Sequence, residues 1–91
     1  MTVIARRAIV SGRVQGVGFR FFAQRAACQA GVRGWVRNAP DGSVETFAEG
    51  EEEAVRLYIE TLREGPRLGR VTAIAEEEAE AAGHATFEIT S

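Results

Sequence analysis

The stretch "VRGWVRNAPDGSVETFAEG", Val32 to Gly50, reads as two strands around a turn. β-Branched and aromatic residues recur in its arms, "VRGWVRN" from Val32 and "VETFAEG" from Val44. Between them, "APDGS" carries Pro40 and the Asp41-Gly42 pair, both turn formers. Charge selects the register. Pairing Arg37 with Glu45, Trp35 with Phe47 and Arg33 with Glu49 makes every pair favourable and puts all six side chains on one face. The other face receives Val32, Gly34, Val36, Thr46 and Ala48, small residues that let helices approach closely. A slip of one residue would set Val36 against Glu45, which is worse.

Helical patterns flank this hairpin. Upstream, Phe19, Phe22, Ala23, Ala26, Ala27 and Ala30 recur at helical spacing, and Gly31 suits a left-handed cap. Phe21 and Cys28 fall off that stripe. Downstream, Glu51, Glu52 and Glu53 open a second helix, where acidic side chains suit the positive end of the dipole. Val55, Tyr58, Ile59 and Leu62 form its apolar face. Glu52 stands four residues before Arg56, a favourable spacing, and Gly65-Pro66 end the helix. Before all of this, Ala8, Val10, Gly12 and Val14 alternate with Arg7, Ile9, Ser11 and Arg13, a strand from about Arg6 to Val14. "GRVTAIAEE" from Gly69 and "ATFEI" from Ala85 supply two more strands. The run "EEEAEAAG" from Glu76 reads as a solvated strand end and loop. The order β-α-β-β-α-β with a short terminal strand is that of a ferredoxin-like α+β sandwich. Such a sandwich is one mixed sheet with both helices packed on one face. Residues 1–91 are expected to form a single domain, because no linker or low-complexity stretch divides them.

Composition removes several functions. No apolar run approaches the ~18 residues a membrane span needs. The start, "MTVIARRAIV", lacks the layout of a signal peptide, so a cytoplasmic protein without a membrane partner is expected. Net charge is −2, which disfavours a general attraction to nucleic acid. One cysteine, Cys28, excludes an internal disulfide, and one histidine, His84, excludes a two-histidine site. Neither a metal nor a cofactor is expected. Cys28 reads as a small exposed or half-buried residue and His84 as a surface or turn residue. All eleven basic residues are arginine, so any cation meeting a ligand is a planar fork.

Chemistry concentrates where the first strand meets the first helix. "GRVQGVGFR", Gly12 to Arg20, packs three glycines into seven residues. It is not a Walker A loop, since no Gly-Lys-Ser/Thr follows, and Phe21 stands where a dinucleotide fingerprint has its third glycine. A glycine-rich turn into a helix N-terminus aims several N–H groups at one spot and binds anions. Arg20, just inside the helix, can place its fork over the same spot. The alternative is a plain connector with Arg20 in solvent. The first two strands, joined by a helix, run parallel. The loop after the first therefore shares a sheet edge with Asn38, which ends the second. The third strand lies between them, a separation of about 10 Å. Asn38 can hold a water there, or can serve only as a turn residue before Pro40.

"GRVQGVGFR" followed by "GWVRNAPDGSV" resembles the acylphosphatase family, and "EGPRLGRV" and the terminal "FEI" resemble its later segments. The resemblance implies hydrolysis of small acyl phosphates to a carboxylate and inorganic phosphate, with phosphate as a product inhibitor. It implies that Gln15, Gly16, Val17, Gly18, Phe19 and Arg20 cradle the phosphate. Arg20 is then the phosphate-binding catalytic arginine, and Asn38 positions the attacking water. A free-standing monomer is expected. Two other readings stand beside it. The Trp35–Phe47 face could stack RNA bases, though Glu45 and Glu49 flank it. The fold also serves as an accessory domain of larger proteins, where the loop binds carbamoyl phosphate without turnover.

Overall fold

The structure, a computed structural model, describes residues 2–91. Its elements are β1 (Val3–Arg13), α1 (Phe19–Ala30), β2 (Arg33–Asn38), β3 (Val44–Glu51), α2 (Glu52–Glu64), β4 (Arg70–Ala79) and β5 (Phe87–Ile89). They form one mixed sheet in the order β4-β1-β3-β2-β5, the expected ferredoxin-like arrangement. β3 is antiparallel to both β1 and β2. β1 and β2 therefore run parallel and end at the same sheet edge. The hairpin register is the one charge predicts, with Arg33 opposite Glu49, Trp35 opposite Phe47 and Arg37 opposite Glu45.

One face of the sheet carries both helices. Val10, Val36, Val44 and Ala48 meet Phe19, Ala23 and Ala27 of α1 and Val55, Tyr58, Ile59 and Leu62 of α2 in one buried cluster. The alanines let α1 lie close, where larger side chains would hold it off. Thr46 is the polar residue inside. Its hydroxyl donates to the Trp35 carbonyl at 2.8 Å, so Tyr58 must donate to Thr46 across their 2.8 Å contact. Burial pushes the Tyr58 phenol well up, with the Thr46 bond opposing it only in part, so Tyr58 stays a donor.

The second face departs from expectation. Phe47 is only 7% exposed. Trp35 stacks on it at 6.3 Å between centroids, and the His84 ring tilts against it at 5.3 Å. The segment between β4 and β5, solvated as expected, also lies across this face. Its Ala82, Gly83 and His84 N–H groups donate to the Glu49 carboxylate at 3.3, 3.0 and 3.1 Å. Glu49 is 1% exposed. Burial pushes its carboxyl up, but the three N–H groups and the nearby His84 together outweigh burial and hold it below its usual range. Glu49 thus faces Arg33 in register but takes its compensation from backbone. His84, expected as a surface or turn residue, is half-buried in this loop and meets Phe47 and Glu49. The covered Phe47 ring also removes the platform that RNA stacking requires.

Smaller differences sit at element ends. β1 begins at Val3 rather than Arg6, because Val3 to Arg6 continue the ladder against Glu51 to Ala48. β4 runs on to Ala79 by pairing with Ala5. Glu51 ends β3, and α2 starts one residue later with Glu52, whose side chain meets Arg56 at 3.1 Å.

Candidate active site

Gly16 and Gly18 hold φ of 76° and 77°, in the left-handed region. A Cβ built on either would meet nothing within 4 Å. Lack of room inside the protein is therefore not why these positions are glycine; the backbone conformation is. Gly18 caps α1 without any side-chain acceptor, leaving the first-turn donors uncapped. The first helical bond runs from the Phe22 N–H to the Gly18 carbonyl at 3.0 Å. Among the described residues, no N–H from Gln15 to Phe21 donates to another backbone carbonyl.

Gln15 ties this loop to the end of β2. Its Nε2 donates to the Ala39 carbonyl at 2.8 Å and to the Ser43 carbonyl at 2.9 Å. Both amide protons are used, so toward a phosphate Gln15 can offer only its backbone N–H. Ala39 directly follows Asn38, the last residue of β2. The turn receiving the staple is itself braced. The Ala39 N–H donates to the Ser43 carbonyl at 2.9 Å, and the Gly42 N–H to the Ala39 carbonyl at 3.2 Å. Asp41 accepts from the Ser43 hydroxyl at 2.6 Å and the Ser43 N–H at 3.0 Å. The hydroxyl bond first, then the N–H bond, holds the Asp41 carboxyl below its usual range.

Arg20 is directed by the helix itself. Gln24, one turn on in the same side-chain row, donates to the Phe87 carbonyl of β5 at 3.3 Å. That row faces β5, so Arg20 leaves α1 on its β5 side, one turn nearer the N-terminus. Arg20 is half-buried, and among the described residues it forms no ion pair. The Phe19 ring is in the core, leaving its N–H for the loop, and Val17 packs against that core. Two concavities accompany these elements. One of about 210 Å³ lies beneath the turn, between Ser11, Gly12 and Asp41 to Ser43. The other, about 200 Å³ between Ile4, Arg6, Ile59 and Glu76, sits at the opposite end of β1, away from the loop.

The sequence marks the loop, Arg20 and Asn38 as candidates, but not the staple or the Gln24 anchor. The available signal for the staple was Gln15 itself, the one side-chain amide in a run of glycine, valine and arginine. An amide there needs partners from another segment.

Fold and loop together define an α+β sandwich whose exposed N–H groups and one arginine can receive an oxyanion. The acylphosphatase family model matches residues 6–89. An acylphosphatase of Thermus thermophilus is 49% identical over 82 residues, covering 90% of this chain and 93% of that one. The crystal structure of acylphosphatase from Bacillus subtilis aligns with a TM-score of 0.93 at 43% identity, covering 97% of this chain and 99% of that one. Full-length HypF, crystallised in a phosphate- and nucleotide-bound form, aligns with a TM-score of 0.92 at 31% identity; the match covers 99% of this chain but 12% of HypF. This chain belongs to the acylphosphatase family. Its activity is hydrolysis of acyl phosphates. Among the described residues, no helix is long and apolar enough to cross a membrane.

Proposed function

We propose that Gln15 to Arg20 hold the phosphoryl group of a small acyl phosphate and that Asn38 positions the attacking water. The loop's N–H groups and the Arg20 fork supply charge complementarity to the phosphoryl oxygens. The Asn38 amide aligns the water opposite the leaving carboxylate. Water oxygen bonds to phosphorus as the phosphorus–oxygen bond to the acyl group breaks, and both water protons end on phosphate. The departing carboxylate is a weak base, so no general acid is required at that oxygen. Positioning and electrostatics suffice, without a catalytic metal or cofactor.

The observation that carries this reading is the Gln15 staple, which fastens the loop to the residue next to Asn38. The chain acts as a monomer in the cytoplasm, where one exposed free cysteine, Cys28, suits a reducing compartment. Inorganic phosphate, the product, inhibits competitively. The test is phosphate release from acetyl, benzoyl and carbamoyl phosphate and from a phosphate monoester. Turnover of the first three but not the ester, unaffected by a chelator, fits the mechanism. Binding of carbamoyl phosphate without turnover would instead indicate an accessory binding domain. Inactivation by the chelator would sink the metal-free route.

A further inference from the structure

We propose that Phe21 and Leu68 form an apolar rim that receives the acyl group. The rim favours aryl and longer alkyl acyl phosphates over acetyl phosphate. This rests on the placement of phosphate in the Gln15–Arg20 loop. Phe21 is 65% exposed and Leu68 is 73% exposed, more than Val3 at 56% and Leu57 at 57%, which stand elsewhere, at the start of β1 and on α2. Both stand beside the loop. Phe21 follows Arg20 in the first turn of α1, off the helix's buried stripe. Helical Cα–Cβ bonds tilt toward the N-terminus, so the Phe21 ring leans toward the mouth of the loop rather than along the helix. Leu68 comes from the turn between α2 and β4. That turn closes through the Gly69 N–H bonded to the Pro66 carbonyl at 3.0 Å. It lies directly against the loop: a Cβ on Gly69 would stand 3.1 Å from the Arg13 carbonyl oxygen and 3.2 Å from Val17 Cγ2.

The loop is thus flanked by an exposed phenyl ring on the helix side and an exposed leucine on the turn side. Phosphate recognition needs neither of them. The Gln15 staple ties the other side of the loop to the turn beside Asn38, so an acyl group departing opposite a water held there leaves on the rim side. The neighbouring concavity is lined by Ser11, Gly12, Asp41, Gly42 and Ser43, with one carboxylate, and suits an apolar acyl group poorly. Apolar contact of ~40 Å² between rim and acyl group is worth about fivefold in kcat/KM.

The experiment measures kcat/KM for benzoyl and acetyl phosphate in the wild-type chain, Phe21→Gln and Leu68→Ser, with thermal midpoints and the inhibition constant of inorganic phosphate as controls. The expected result is a benzoyl-over-acetyl ratio that falls about fivefold in Phe21→Gln and about threefold in Leu68→Ser. The loss appears in KM for benzoyl phosphate, and the phosphate inhibition constant stays put. A ratio unchanged in both variants overturns the rim while leaving the loop assignment standing. A phosphate inhibition constant that weakens in step with benzoyl KM also overturns it, since the residues would then be shaping the loop. Failure of the wild-type chain to hydrolyse either substrate overturns the loop assignment and the rim with it.

Discussion

Two groups of backbone N–H donors in this protein meet opposite fates. Ala82, Gly83 and His84 turn theirs onto Glu49, a carboxylate the chain itself supplies and buries. From Gln15 to Arg20 the N–H groups have no backbone acceptor, and the side chain that reaches inward, Gln15, bonds elsewhere. The physics is the same at both: backbone N–H dipoles favour negative charge. What differs is the source of the anion. An internal anion converts the donors into stability, because burial and hydrogen bonding are settled on folding. Donors left free convert into affinity for an anion from outside. A loop that takes up an outside anion must therefore be rigid without being satisfied. Here the Gln15 staple ties the loop to the β2–β3 turn, and Gly16 and Gly18 take the left-handed conformation.

The sharpest way to break this contrast is to damage the open site's one charge. Arg20→Lys keeps the charge but loses the fork, and kcat/KM for acetyl phosphate should fall about 100- to 1000-fold with stability little changed. Near wild-type turnover would show that Arg20 does not act on the phosphoryl group. Glu49→Ala attacks the closed site instead. Three donors lose their one buried acceptor, so stability should drop by about 2–4 kcal/mol in urea titrations. Retention of wild-type stability would mean that the strap over the second face is not held by this carboxylate.

Asn38→Ala should lower kcat about 10- to 100-fold, while the inhibition constant of phosphate stays within about twofold. Parallel loss of phosphate affinity would make Asn38 part of the open donor set rather than a holder of water. The smallest effect concerns pH. Because the Glu49 carboxyl titrates below its usual range, it stabilises the fold above about pH 4.3, the usual glutamate value. That contribution is lost as pH falls through the lowered folded value. Unfolding midpoints of the wild-type chain and Glu49→Gln should therefore converge on acidification; a constant gap from pH 7 down to pH 3 would contradict the assignment.

Much of the fold was legible because it rests on local pattern. Arg37, Trp35 and Arg33 set the hairpin register through charge and aromatic pairing, and the structure keeps it. The apolar spacing of α1 and α2 located their buried faces, including the exposure of Phe21 and Cys28. The loop and Asn38 were legible as candidates because glycine density and strand ends are sequence properties. Glu49 was not legible. Its neighbour across the ladder, Arg33, offered an obvious partner, and nothing local shows that a segment more than thirty residues later reaches it first. The reason for Gly16 and Gly18 was equally hidden, since only backbone geometry separates a steric need from a conformational one.

Sequence alone determined the order of elements, the paired register of β2 and β3, and which residue types could serve phosphate chemistry. Those follow from periodicity, turn chemistry and the limited choice of side chains. Only the tertiary structure decided which donors stay free. Gln15 finds Ala39 and Ser43 across 24 and 28 positions, and Glu49 finds the 82–84 backbone across 33 to 35. Hydrogen bonds of that span exist only once the sheet has brought distant strands side by side, so no local pattern encodes them.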